Sequence, residues 1–236
     1  MDPVSEERKR IKRVYRARQP GDLYDPTRSD VRARAAARSG AWTRGLRGAS
    51  HTLGTTLEVG CGTGDVLRWA QETGAHTAVG IDVLAERIDT ASVTSSGALL
   101  ARGDGQQLPV TTCSIDTVIC STLFSSVLDD APAGRIASEI IRVLRPGGLI
   151  LWFDFFRSNP RNEHVRRITS TDIARLFPGF ESHLERVVLA PPLARRLEEF
   201  PRVAALLEAI RPLRTHYAGV LVRSSRSGSP TRNPAP

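Results

Sequence analysis

The sequence predicts an α/β fold built on a mostly parallel sheet with helices on both faces. Short apolar runs alternate with helical patterns through the middle of the chain, the mark of repeated strand–helix units. A glycine-rich turn joins the first of those runs directly to the first helical pattern, as in doubly wound sheets. The length of 236 residues, with 40% hydrophobic and 25% charged residues, suits one domain with a substantial core.

The elements follow in order. Residues 5–18 hold helix formers behind Ser5 and predict a short charged helix too polar to be core. The prolines of Gln19–Pro26 break it, and a second helix begins near Thr27 and runs to Arg38 or beyond. Strands are expected near 55–60, 77–82, 98–102, 115–121 and 148–154, with helices near 64–74, 84–95 and 132–144. Arg145-Pro-Gly-Gly148 stops the last of these helices, because proline cannot continue it and glycine tolerates the turn. Beyond Asp154 the pattern changes to a helix near 171–176, a strand near 182–190, a long amphipathic helix near 192–211 and a final strand at Thr215–Arg223. Three parts result: a basic helical segment at 1–48 that forms part of a substrate cover, a catalytic domain at 49–223, and a tail at 224–236 with too little to bury to be ordered.

Charge is unevenly placed. Residues 1–48 carry 13 Lys or Arg against 6 Asp or Glu, whereas residues 49–222 carry 17 against 19. The net charge of +8 therefore belongs to the ends, where it reads first as a solvated, solubilising face and second as a nucleic-acid contact. No run approaches the roughly 18 apolar residues that span a bilayer, and the first residues lack the apolar stretch of a signal peptide, so a cytoplasmic protein without a membrane partner is expected. Cys61, Cys113 and Cys120 are odd in number and lack metal-ligand spacing, so they read as reduced packing residues and no metal is expected.

The chemistry concentrates at Leu57-Glu-Val-Gly-Cys-Gly-Thr-Gly-Asp65. Gly60, Gly62 and Gly64 let the chain turn sharply and let a ligand lie against bare backbone. Their Gly-x-Gly-x-Gly spacing, with Glu58 two positions before the first, differs from the dinucleotide pattern Gly-x-Gly-x-x-Gly, whose third glycine would fall at Asp65. Asp82 ends the second strand about twenty residues later, the separation at which a carboxylate accepts ribose hydroxyls. Asp104 ends the third unit, where it can accept from an adenine amino group. Each aspartate alone reads equally well as a helix cap. Three carboxylates, Glu58, Asp82 and Asp104, in phase at three successive strands do not.

The ordered series LEVGCGTGD, VGID, GDGQQLP, IDTVICSTLFSSVLDD and EIIRVLRPGGLILWFDF resembles the motifs of class I S-adenosylmethionine-dependent methyltransferases over roughly residues 53–156. The resemblance implies a seven-stranded Rossmann-like sheet of order 3-2-1-4-5-7-6 whose last strand is antiparallel, and S-adenosyl-L-methionine as cofactor. It places Glu58, Gly60, Cys61, Gly62 and Gly64 beside the methionine part, Asp82 with Val83 at the ribose, Asp104, Gly105 and Gln106 around the adenine, and Cys120 and Ser121 at the methionine and the sulfonium. A looser likeness of the Asp154–Pro160 stretch and of His216-Tyr217 to bacterial small-molecule methyltransferases implies a sugar-like or natural-product acceptor.

Methyl transfer from a sulfonium is an in-line displacement that asks mainly for alignment and exclusion of water. An O or N acceptor gains from a base, for which Asp154, His164 and His216 are candidates, each with a structural alternative as cap, loop or sheet residue. Tyr15, Tyr24, Phe124, Phe156 and Arg161 are the expected acceptor contacts, and Arg157, Arg161, Arg166 and Arg167 read first as the exposed surface of a loop and second as a site for a carboxylate or phosphate. An RNA- or protein-directed methyltransferase using the basic segment is the alternative, although Ser121-Thr-Leu-Phe stands where base-amine methylases carry an Asn-Pro-Pro-Tyr-like tetrapeptide. The sequence thus disfavours a nucleic-acid partner without excluding it, and it is silent on oligomeric state. A non-catalytic binding module and an NAD-dependent oxidoreductase stand further back.

Overall fold

A computed structural model describes residues 3–17, 25, 27–158, 162–197 and 200–223. Tyr24, Arg161 and the tail 224–236 lie outside the described residues. Seven strands form one sheet in the order β3-β2-β1-β4-β5-β7-β6: β1 Thr55–Val59, β2 Thr77–Asp82, β3 Leu99–Arg102, β4 Ile115–Ser121, β5 Leu144–Phe155, β6 Phe180–Leu189 and β7 Arg214–Arg223. The first five pair in parallel. β7 lies antiparallel between β5 and β6, as the order expected from the sequence requires.

Helices α1 Pro3–Ala17, α2 Ser29–Gly48, α3 Asp65–Glu72, α4 Ala85–Thr94, α5 Asp130–Val143 and α6 Ser170–Leu176 flank the sheet. Period-two alternation in β4 and β5 splits the core: Ile119, Leu149, Leu151 and Phe153 meet Trp42 and Leu46 of α2, whereas Val118, Cys120, Ile150 and Trp152 meet Ile136 and Ile140 of α5. Gly45 lets α2 lie close on β7, since a Cβ there would stand 2.5 Å from Val220 Cγ1. The fully buried Trp42 fastens α2 by donating from Nε1 to the carbonyl of Trp152 at 2.8 Å. α6 opens on a capping box: Asp172 N donates to Thr169 Oγ1 and Thr169 N to Asp172 Oδ2, at 3.2 and 2.9 Å.

The long helix expected over 192–211 is instead two short ones, α7 Pro191–Arg196 and α8 Pro201–Glu208, followed by a 3₁₀ turn at Arg211–Leu213. Proline cannot continue a helix from its interior, so Pro201 and Pro212 mark new starts, which the apolar periodicity alone conceals. Among the described residues no helix is long and apolar enough to cross a membrane.

Replacing Trp42 by Ala is expected to cost about 3–5 kcal/mol of stability, the range for emptying a large buried aromatic site. Urea unfolding measures it, and a loss under about 1 kcal/mol would show that α2 is not anchored there.

Candidate functional site

The glycine loop is held by the neighbouring strand. Gly60 N and Cys61 N donate to the carbonyl of Ile81 at 2.7 and 3.1 Å, and Gly62 N donates to Asp82 Oδ2 at 2.9 Å. The other oxygen of Asp82 accepts from Leu84 N at 2.9 Å. Gly60, Gly62 and Gly64 have φ of 75, 54 and 87°, a left-handed region that side chains other than glycine enter at a cost. At Gly64 a Cβ would also stand 2.8 Å from Ser95 Oγ. Three left-handed steps thus carry the chain from the end of β1 to the start of α3, leaving the backbone bare.

Beside this loop, at the carboxyl ends of β1, β2 and β4, lies a cavity of about 880 Å³. It opens where the strand order reverses between β1 and β4, the position at which open α/β sheets bind ligands. Glu58, Gly60, Cys61, Gly62, Asp82, Val83, Asp104, Gly105, Ser121, Tyr15 and His216 line it. So does Arg38 of α2, which the sequence reading missed: it lies in an arginine-rich helix with no motif around it, and only the path of α2 across the sheet brings it to β1.

The buried Glu58 and the half-buried Arg38 both line the cavity, and neither Glu58 Oε2 nor Arg38 Nε has a hydrogen-bond partner among the described residues. Burial pushes the Glu58 carboxyl well above the usual carboxylate range, against the pull of Arg38. It also pushes the Arg38 guanidinium down to about 10. Buried, unsatisfied charges are costly, so a zwitterion between them would satisfy both. Asp82 is likewise raised by burial, with its backbone donors working in the opposite direction. An adenosyl amino acid fits this chain: opposed charges for its amino-acid end, bare glycine backbone beside it, and carboxylates with spare lone pairs for its hydroxyls and amine.

Several expected site residues lie elsewhere. Asp154 is off the cavity wall: its two oxygens accept from Ser125 N at 3.0 Å and Phe155 N at 2.8 Å. Burial raises it to about 6, but its position makes it a brace for the loop after β4 rather than a group that meets an acceptor. Cys120 packs in the core beside Phe124 and Trp152, because alternation along β4 sends Ser121, not Cys120, to the cavity. Phe124 is core, stacked on Trp152 with ring centroids 5.3 Å apart. Phe156 stacks on Tyr217 at 4.5 Å, while Phe153 and Phe155, two residues apart on one strand face, line the cavity. Gln106 accepts from Arg135 Nε at 3.0 Å and its backbone N–H donates to Asp104 Oδ1 at 3.0 Å. His164 stands 3.9 Å from Glu163 and outside the lining, although its neighbours Asn162 and Val165 are in it. Among the described residues no cluster of His, Cys, Asp and Glu could hold a metal.

His216 lines the cavity. Fully buried in β7, its ring stacks on Phe153 at 4.7 Å and packs tilted against Phe155 at 4.0 Å. Burial, with the positive charge of Arg34, pushes it down to about 3, so the ring is neutral at physiological pH. Over the rim lies α1. The buried Glu7 accepts from Leu128 N and from Arg10, both at 2.7 Å, Tyr15 shares a hydrogen bond with Ser126 Oγ, and Arg16 reaches Glu86 at 2.8 Å.

Residues 57–152 match the family model of a methyltransferase domain. No curated protein matches the chain. Among solved structures, the N-methyltransferase NodS of Bradyrhizobium japonicum, in complex with S-adenosyl-L-homocysteine, is similar at 15% identity and a TM-score of 0.66, over 94% of this chain and 99% of that one. An S-adenosylmethionine-dependent methyltransferase from Mesorhizobium loti is similar at 19% identity and a TM-score of 0.55, over 75% and 95%. The complex between the Haloferax volcanii Trm112 methyltransferase activator and its putative methyltransferase gives 23% identity and a TM-score of 0.57, over 81% and 97%. At these identities the three show a shared fold. The chain thus shares the fold of these methyltransferase structures, and its residues 57–152 are similar to a methyltransferase domain.

Proposed function

We propose that this enzyme moves a methyl group to an O or N atom of a small molecule, sugar-like or natural-product in kind. The observation that carries the reading is the lining of the cavity beyond the glycine loop. There residues of α2 meet Phe153, Phe155 and His216, a mixed apolar and polar pocket of the kind that takes a compact acceptor.

In this reading Arg38 holds the carboxylate and Glu58 the ammonium of the methionyl end, while Gly60 to Gly64, with Cys61, lie along it. Asp82 accepts the ribose hydroxyls beside Val83, and Asp104 with Gly105 borders the adenine. Ser121 stands near the sulfonium and Tyr15 covers the rim. When bound, the cofactor supplies a methyl group already activated as part of a sulfonium. The chain supplies alignment, a dry chamber under α1 and α2, and in His216 a neutral ring to take the acceptor's proton.

The alternative, an RNA- or protein-directed enzyme using the basic segment, gains little support from its charges. Arg8, Lys9, Arg10, Arg16, Arg28 and Arg44 are each within 3.4 Å of a carboxylate of the same chain. Charge neutralised in this way releases few counterions from a phosphate backbone. A gel-shift titration across a salt series tests it: weak binding with a shallow slope is expected, and tight binding with a steep slope would favour the alternative.

Two substitutions test the cofactor assignment. Asp82→Ala is expected to weaken S-adenosylmethionine binding by about 10–100-fold, the worth of hydrogen bonds to a charged group; unchanged affinity in a folded variant overturns the assignment. Arg38→Met is expected to weaken S-adenosylhomocysteine about tenfold or more, yet leave 5′-methylthioadenosine, which lacks the amino-acid end, nearly unaffected. Equal losses for both ligands in calorimetry would place Arg38 elsewhere.

A further inference from the structure

His216 has two ring nitrogens in different circumstances. Nδ1 lies 3.0 Å from Thr215 Oγ1. Nε2 is buried with no hydrogen-bond partner among the described residues, in a residue that, like Thr215, lines the cavity. The Thr215 hydroxyl has a second neighbour, donating to the carbonyl of Val188 at 3.4 Å. That carbonyl is set by a break in the ladder: Val187 pairs with His216 and Leu189 with Arg214, while Val188 and Thr215 are skipped. Val188 takes φ of 65°, uncommon for a β-branched residue and the kind of outlier that gathers at functional sites.

A hydroxyl has one proton to give, and a carbonyl can only accept. With that proton on the Val188 carbonyl, Oγ1 accepts from Nδ1–H, two hydrogen bonds form, and Nε2 is left bare. With the proton on Nδ1, the carbonyl loses its donor and Nε2–H becomes a buried donor without an acceptor, the rarer kind of orphan. The first arrangement wins by a bond. We propose that Thr215 is a positioning residue for the methyl transfer, holding His216 in its Nδ1–H tautomer so that an unprotonated Nε2 meets a hydroxyl group of the acceptor.

The proton of the acceptor's O–H passes to Nε2 while the methyl carbon's bond to oxygen forms and its bond to sulfur breaks. The site's positive charge thereby moves from sulfonium to imidazolium, and Nδ1–H stays with Thr215. The ring's depressed basicity is compatible with this: a methylated oxonium is acidic enough to surrender its proton to such a ring, whereas an amine attacks as its free base, keeps its proton as an ammonium near the pKa of about 10.4 of a lysine amine and asks nothing of Nε2.

This inference rests on the small-molecule reading above, but its test does not. In the full chain labelled with ¹⁵N-histidine and loaded with S-adenosylhomocysteine, long-range ¹H–¹⁵N correlations report the tautomer whatever the acceptor is, and the His216→Gln variant assigns the signal. The expected result at pH 7 is a neutral ring protonated at Nδ1, kept in Thr215→Ser and shifted toward Nε2–H in Thr215→Val. A wild-type ring that is charged or carries its proton on Nε2 overturns the proposal, as does a Thr215→Val ring unchanged from wild type. With labelled S-adenosylmethionine and matched pairs of small alcohols and amines, label on the alcohols supports the hydroxyl assignment and label on the amines alone overturns it.

Discussion

Three consecutive backbone amides, Gly60, Cys61 and Gly62, donate to the last two residues of β2, and the rest of the site is arranged around that junction. The carbonyl of Ile81 and the carboxylate of Asp82 hold the loop while it makes its left-handed turns. The loop delivers the first turn of α3, and the same carboxylate braces the start of the next unit through Leu84 N. One aspartate thereby orders two connections and still has lone pairs to offer a ligand. This is why it belongs at the end of β2 and not one residue earlier, where alternation would turn it to the other face.

Electrostatic organisation follows the strands. Three of the carboxylates of the cavity, Glu58, Asp82 and Asp104, come from the ends of β1, β2 and β3. Arg87 of α4 acts on Asp82, and further cations arrive on the two N-terminal helices. α1 brings Arg8 to Asp104 and Arg16 to Glu86, and α2 brings Arg38 to the wall that holds Glu58. The exposed pairs are individually weak, so α1 depends more on the buried Glu7, which joins Arg10 and Leu128 N. Arg8, Arg16 and Arg44 of the basic N-terminal segment thus each pair with a carboxylate of the domain.

The parts legible in the sequence were those fixed by local rules. Strand–helix alternation, the glycine spacing and the phase of Asp82 and Asp104 all act within a few residues, and the observed sheet order and loop geometry agree with them. Facing was harder. Cys120 and Phe156 were each one residue off the cavity-lining position, because a slip of one along a strand sends a side chain to the opposite face. Asp154 has the residue type and strand end of a base, yet the backbone amides of Ser125, in the 3₁₀ turn after β4, and of Phe155, next along β5, occupy it. Arg38 and Thr215 were invisible for another reason: their significance comes from contacts between elements far apart in the chain or from a skipped rung between two antiparallel strands, and neither leaves a spacing to read.

The central claim is that the Glu58–Arg38 wall and the Asp82 carboxylate together receive one adenosyl amino acid. A crystal structure of the full chain with S-adenosylhomocysteine tests it most directly. The account predicts the ligand's carboxylate on the Arg38 guanidinium, its ammonium at Glu58 and its ribose hydroxyls on Asp82. A ligand whose amino-acid end lies away from Arg38 and Glu58, or whose ribose leaves Asp82 untouched, would contradict it.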